Sequence, residues 1–147
     1  MTNTVLVRPA SMEDLATIHN LSRIELGYDY DFDTLQSNFR ILRTDPNHKI
    51  QVAVLENVVV GFLHVNRYDS LLGPAMTNIM AIAVDQNYRG QGIGKILLNA
   101  AELWAREQQT VGIRLLSSEN RVNAHGFYQH NDYASHKKQL KFEKFFE

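Results

Sequence analysis

Three glycines fall within five residues, at Gly90, Gly92 and Gly94, with Arg89 just before them and Lys95 just after. Residues of these types in this pattern suit phosphate. Glycine reaches backbone angles closed to other residues and lets a ligand approach the main chain. The start of a helix leaves N–H groups unpaired and carries partial positive charge. A glycine loop running into a helix is therefore a cradle for a phosphoanion, and Arg89 and Lys95 add charge. Two common versions of such a cradle do not match. The mononucleotide P-loop needs Gly, four residues, then Gly-Lys-Ser/Thr. Here Arg89 occupies the position of the first glycine and Ile96 replaces the hydroxyl. The dinucleotide fingerprint needs G-x-G-x-x-G, but Gly90-x-Gly92 is followed by Lys95, and Gly92-x-Gly94 by Leu97. Taken alone, the loop also admits a packing role only.

Other side chains have chemical capacity but weaker patterns. Histidines 125, 130 and 136 form no helical i, i+4 pair, and cysteine is absent. No metal site is expected. His64 alternates with Phe62, so it faces either core or cleft. The stretch Tyr28-Asp29-Tyr30-Asp31-Phe32-Asp33 offers three carboxylates that would attract a cationic amine, or a solvated loop in which Asp31 or Asp33 caps a helix. Lys137, Lys138, Lys141 and Lys144 read as the solvated edge of a strand.

The elements that must position these residues follow from periodicity and punctuation. Thr4 to Arg8 reads as a strand stopped by Pro9. Ser11 is an N-cap with Asp14 completing a capping box. Leu15, Ile18, His19, Leu21 and Leu26 follow at helical spacing, closed by Gly27. Leu35, Phe39 and Leu42 mark a second helix before Asp45-Pro46. Gln51 to Leu55 and Val58 to Asn66 are β-branched runs around Glu56-Asn57, a hairpin signal. Pro74 precedes a strand over Asn78 to Val84, which enters the glycine loop. A helix from about Gly92 to Glu107 carries an apolar stripe of Ile96, Leu97, Ala100, Leu103 and Trp104. Ile113 to Leu116 reads as a strand, Val122 to Gln129 as a helix and Gln139 to Phe145 as a last strand. The order β-α-α-β-β-β-α-β-α-β combines hairpins with one crossover. It predicts an α/β (α+β) fold with a mixed, mostly antiparallel sheet flanked by helices.

Composition bounds the function. The 147 residues suit one domain spanning 1–147. A hydrophobic fraction of 44% and a charged fraction of 21% are those of an ordinary globular chain. The formal net charge of −1 supplies no field for a polyanion, so nucleic acid is not the expected partner. With no cysteine, disulfides, thiolate metal sites and a cysteine nucleophile are excluded. Met1 to Pro9 has no apolar run after a basic start, and no stretch approaches the roughly 20 apolar residues of a membrane span. A cytoplasmic protein without a membrane partner is expected.

Arg89-x-x-Gly92-x-Gly94, behind the strand Ile79 to Val84 and ahead of a helix, resembles the R/Q-x-x-G-x-G/A motif of the GNAT (GCN5-related N-acetyltransferase) superfamily. Arg8-Pro9-Ala10 with Glu13-Asp14-Leu15 is similar to the usual start of these domains. Asn120-Arg121-x-x-Ala124-His125-x-Phe127-Tyr128 with Tyr133 resembles their closing helix, although Asp132 replaces the glycine common before the last aromatic. The resemblance spans about residues 4 to 145. It implies an N-acetyltransferase that moves acetyl from acetyl-CoA directly to an amine of a small molecule or peptide, with no metal. The alternative is a non-catalytic acyl-CoA-sensing or interaction domain. The resemblance further implies that backbone N–H groups of Arg89, Gly90, Gln91, Gly92, Ile93, Gly94 and Lys95 hold the CoA pyrophosphate. By the same resemblance Ile82 and Val84 pair through their backbone with the pantetheine arm, and the Ile82 N–H points at the thioester oxygen. Asn120 contacts the pantetheine or caps a turn. Tyr128 faces the sulfur as proton donor. In the family the region of Tyr28, Asp29 and Asp31 often forms a wall of the acceptor site, and His64 is a further acceptor-binding candidate if it faces the cleft. Homodimers are common in the family. Many relatives carry a carboxylate base on the strand before the loop, but Asn78 and Met80 stand at the expected positions. His64, Glu25, Asp29, Asp31 and Glu119 are the remaining base candidates, and a base need not be required.

Overall fold

The computed structural model describes residues 4–146. The chain divides after Leu115 into two compact units. The first unit is built on a five-stranded sheet of β1 (Val5–Pro9), β2 (His48–Leu55), β3 (Val58–Ser70), β4 (Gly73–Val84) and β5 (Ile113–Leu115). Spatial order follows chain order. The first four strands pair antiparallel and β4 pairs β5 in parallel. Glu56 and Asn57 link β2 to β3 with φ of 50° and 65°, the left-handed pair that matches strand twist in a two-residue hairpin.

Helices α1 (Leu15–Leu26), α2 (Phe32–Leu42) and α3 (Ile93–Glu107) belong to this unit. A single 3₁₀ turn, Met12–Asp14, precedes α1 and carries the Ser11/Asp14 capping box. Asp14 also takes a two-pronged ion pair from Arg8 at 2.7 and 2.9 Å. That partner holds the Asp14 carboxyl below its usual range despite burial. Gly27, at φ 75°, closes α1 in the left-handed region. Leu15, Ile18 and Leu21 of α1 and Phe39 of α2 bury against Val52, Phe62 and Ala83. Neighbouring residues on a strand point to opposite faces, and Gly61 faces α3. A Cβ there would sit 2.8 Å from the Ala83 carbonyl oxygen and 3.2 Å from Leu97 Cδ1. Glycine therefore lets α3 approach the sheet, which brings the start of α3 to the end of β4.

The buried stripe of α3 is Ile93, Leu97, Leu98, Ala101, Trp104 and Ala105. It is rotated from the expected one: Leu97 and Trp104 hold, whereas Leu103 is exposed. This helix carries apolar residues on more than one face, so periodicity alone does not choose between the overlapping stripes.

The second unit contains α4 (Val122–His130). The strand expected over Gln139 to Phe145 is not formed. Leu140, Phe142 and Phe145 are more than 80% exposed. Alternating apolar and charged residues from Leu140 to Glu143 satisfy a strand pattern, but a strand needs a partner for its backbone groups, and among the described residues none pairs with this segment.

Candidate active site

The site begins where β4 outruns its neighbour. β5 pairs only with Thr77, Asn78 and Ile79. From Met80 to Val84 no strand covers that edge of β4 among the described residues. Ladder parity decides which groups face the open edge. The Asp85 N–H donates to the Val60 carbonyl at 2.8 Å. Residues in an antiparallel ladder alternate between facing toward and away from the partner. Val84 and Ile82, opposite Gly61 and Leu63, therefore turn their N–H and C=O groups to the open side. A bulge between the His64 and Val65 pairings leaves Met80 as the extra residue. Such bulges bend a strand and re-aim its next residues.

Asp85 then reverses the chain, accepting from Asn87 N–H at 2.9 Å, and Gln86–Tyr88 form a 3₁₀ turn. Gly90 and Gly92 have φ of 80° and 77°, a region that L side chains rarely enter. No heavy atom lies within 4 Å of a Cβ built at either glycine. Gly92, like Gly90, is thus required by the turn, while the space around both is open. The first helical bond of α3 runs from Ile96 N–H to the Gly92 carbonyl, so the N–H groups of Ile93, Gly94 and Lys95 lack helical acceptors. No acidic residue occupies the first turn. This arrangement suits a diphosphate, and acetyl-CoA fits it.

Glu25, near the end of α1, is the residue whose role sequence reading missed. Its side chain is 7% exposed. One carboxylate oxygen accepts the Gln86 N–H at 2.8 Å and the other accepts Arg89 Nη2 at 2.9 Å. It holds the loop rather than serving as a free base. The partners lie 61 and 64 residues away along the chain, and no local signal announces such a contact.

The sheet face that carries α1 and α2 changes character along its strands. Beyond Phe62 and Ala83 it presents His64, Asn66 and Tyr68 from β3, His48 from β2, Asn78 from β4 and Arg114 from β5, by pairing register. His48 Nδ1 and His64 Nε2 share a hydrogen bond of 2.9 Å. Burial first, and then His48, push His64 down to about 4. Asp31 is the N-cap of α2, accepting from Thr34 N–H at 3.1 Å. Tyr28 and Tyr30 are exposed with ring centroids 6.0 Å apart, and Asp29 is exposed beside them.

In the second unit, Asn120 is exposed ahead of α4. Tyr128 on α4 is half-buried, with ring centroids 5.4 Å from Phe127 and 6.1 Å from Tyr133. Burial raises its phenol above the usual range, opposed by Arg121. Glu119 is ion-paired with Lys138 at 2.8 Å. Among the described residues no group of three His, Cys, Asp or Glu is placed to hold a metal, and no helix is long and apolar enough to cross a membrane.

Comparison with known proteins supplies the family. No curated protein matches the sequence. Solved structures match closely in fold. A structure of aminoglycoside N-acetyltransferase AAC(6')-Iy in complex with CoA superposes with a TM-score of 0.86 at 14% identity, covering 98% of this chain and 97% of that one. A transcriptional regulator from Bacillus halodurans gives 0.84 at 24% identity, covering 96% and 100%. A possible acetyltransferase from Clostridium difficile gives 0.78 at 25% identity, covering 97% and 99%. A sequence profile described as the acetyltransferase (GNAT) family matches residues 12–133. The chain belongs to the acetyltransferase (GNAT) family, and as a member it is an acetyl-CoA-dependent N-acetyltransferase.

Proposed function

We propose that the chain transfers acetyl from acetyl-CoA directly to an amine nitrogen of a small molecule or peptide, with the loop from Arg89 to Lys95 as the pyrophosphate seat. The observation that carries this reading is the open edge of β4, with Ile82 and Val84 facing it, set directly ahead of a glycine turn at a helix start. In the proposed step the neutral acceptor nitrogen attacks the thioester carbonyl, the carbon–sulfur bond breaks, and the nitrogen gives up its extra proton to water. The Ile82 N–H stabilises the oxygen as negative charge develops, a contribution that can reach about 10²–10³ in rate for one donor. By the family resemblance Tyr128 returns a proton to the departing thiolate, and Asn120 contacts the pantetheine. With no cysteine in the chain, no thiol is available to carry the acetyl group between donor and acceptor. The family match covers residues 12–133 and so includes residues from both sides of the division after Leu115, which supports one catalytic domain over that span.

The test is release of free thiol from acetyl-CoA across a panel of amines, with the acetylated product identified by mass. Turnover well above the hydrolysis background for at least one amine class is the expected outcome. Tight acetyl-CoA binding with no turnover of any amine in the panel would overturn the assignment of a small-molecule or peptide amine as acceptor.

A further inference from the structure

Arg114 stands on β5, where the sheet face carrying α1 and α2 is polar, and its charge meets only neutral partners. Its Nη1 donates to Asn78 Oδ1 at 2.6 Å. Its guanidinium carbon lies 4.1 Å from the centroid of the Tyr68 ring. Among the described residues no carboxylate lies within ion-pair distance of it, although Arg8, Arg67, Arg89 and Lys138 each have one. The neutral partners are themselves fixed. Asn78, almost fully buried, donates to Asn66 Oδ1 at 3.0 Å, and Asn66 donates to the Arg67 carbonyl at 3.0 Å. A relay of amides thus orients the guanidinium plane. Stacking on an aromatic ring leaves the remaining N–H groups in the plane, where they reach an incoming acceptor. Holding an uncompensated cation half-buried is costly unless something neutralises it.

We propose that Arg114, framed by Tyr68 and Asn78, receives an anionic group of the acceptor amine. The proposal rests on the acetyl-transfer reading above and names its substrate class. Asn78 precedes Ile82 by four residues of β4, which is roughly 10–13 Å at strand spacing. An acceptor with its amine near Ile82 and its anion at Arg114 spans about three extended residues. The class is an extended, peptide-sized amine bearing a carboxylate or phosphate. A polycationic aminosugar would place like charge against Arg114 and is disfavoured.

The experiment compares triglycine with triglycinamide, and 6-aminohexyl phosphate with 6-aminohexanol, as acceptors. An anionic member preferred over its neutral partner by about 10- to 100-fold in kcat/KM is expected, the range of a charge-assisted hydrogen bond. Which pair shows the preference tells carboxylate from phosphate. Arg114→Gln keeps a donor for Asn78 and removes the charge. It should collapse the preference to near unity while acetyl-CoA affinity and the neutral acceptor's kcat/KM stay within about twofold. Tyr68→Leu, which removes only the stacking face, should weaken the preference severalfold and serves if Arg114→Gln does not fold. No anion preference in the wild type, equal losses for anionic and neutral acceptors, or a polycationic aminosugar as the best acceptor would each overturn the proposal. If no amine at all is turned over, the acetyl-transfer reading fails separately. Binding of N-acetyltriglycine against its amide, measured by calorimetry with CoA present, then decides the anion site: Arg114-dependent discrimination supports it, and none overturns it.

Discussion

His64 and Tyr128 are two side chains whose ionisation burial shifts, the first down and the second up. Tyr128 holds its proton at neutral pH, because burial raises an already weak acid. If it protonates the departing thiolate, Tyr128→Phe lowers kcat by about 10²–10⁴-fold and leaves the KM for acetyl-CoA nearly unchanged. Single-turnover measurement checks this, and an unchanged chemical step would assign Tyr128 to packing. His64, pushed down to about 4 from an ordinary 6.5, is too weak a base to hold the proton of an amine with pKa near 10. With Glu25 clamping the loop and Asp31 capping α2, the expectation is that kcat/KM tracks the acceptor's own ionisation. His64 also has a consequence for stability. Between pH 6.5 and 4 the unfolded chain binds a proton that the folded chain does not. Stability is therefore complete above about 6.5 and falls as pH drops toward 4, by up to roughly 3 kcal/mol. Thermal melts of the wild type and His64→Gln over about pH 7 to 4 check it: the variant's curve should be flatter, and parallel curves would refute the assignment.

At the scale of elements, packing of α3 decides where the cofactor loop sits, and Gly61 decides that packing. Gly61→Ala would put a Cβ 2.8 Å from the Ala83 carbonyl oxygen, so the backbone must shift. A destabilisation of about 1–3 kcal/mol is expected, read as a lower denaturation midpoint, with weaker acetyl-CoA binding because the start of α3 moves with it. A midpoint and affinity both unchanged would show that the sheet yields without consequence. Elements with strong local signals were legible in the sequence: the Ser11/Asp14 capping box, the Glu56-Asn57 hairpin and the glycine turn each follow from a few adjacent residues. Features fixed by distant partners were not. The extension of β3 to Ser70 and of β4 back to Gly73 depends on the two strands pairing with each other. The clamp from Glu25 to the loop and the relay from Asn66 through Asn78 to Arg114 join residues on separate elements. Gln139 to Phe145 fails in the opposite sense: its pattern fits a strand, yet pattern alone supplies no neighbour.

For the whole molecule, a net charge of −1 means that a polyphosphate ligand is drawn by local groups rather than by a global field. On the proposed reading those groups are the N–H groups at the start of α3 that lack helical acceptors and the basic side chains of Arg89 and Lys95. Arg89, 65% exposed and tied to Glu25 at one nitrogen, retains other donors for the ligand. Binding to this folded arrangement alone stabilises it by linkage. At acetyl-CoA about 100-fold above its dissociation constant the gain is about 2.7 kcal/mol, or about 5–10 °C in melting temperature for a chain of this length. ATP and NAD, which lack the pantetheine arm that would pair with Ile82 and Val84, should give a smaller shift at equal concentration. Gly94→Glu places a carboxylate at the start of α3, where a diphosphate would lie, and should abolish the acetyl-CoA shift while the unliganded protein still melts cooperatively. A shift of equal size for ATP and acetyl-CoA would mean that the phosphates alone are read. A full acetyl-CoA shift in Gly94→Glu would place the phosphate seat elsewhere on the chain.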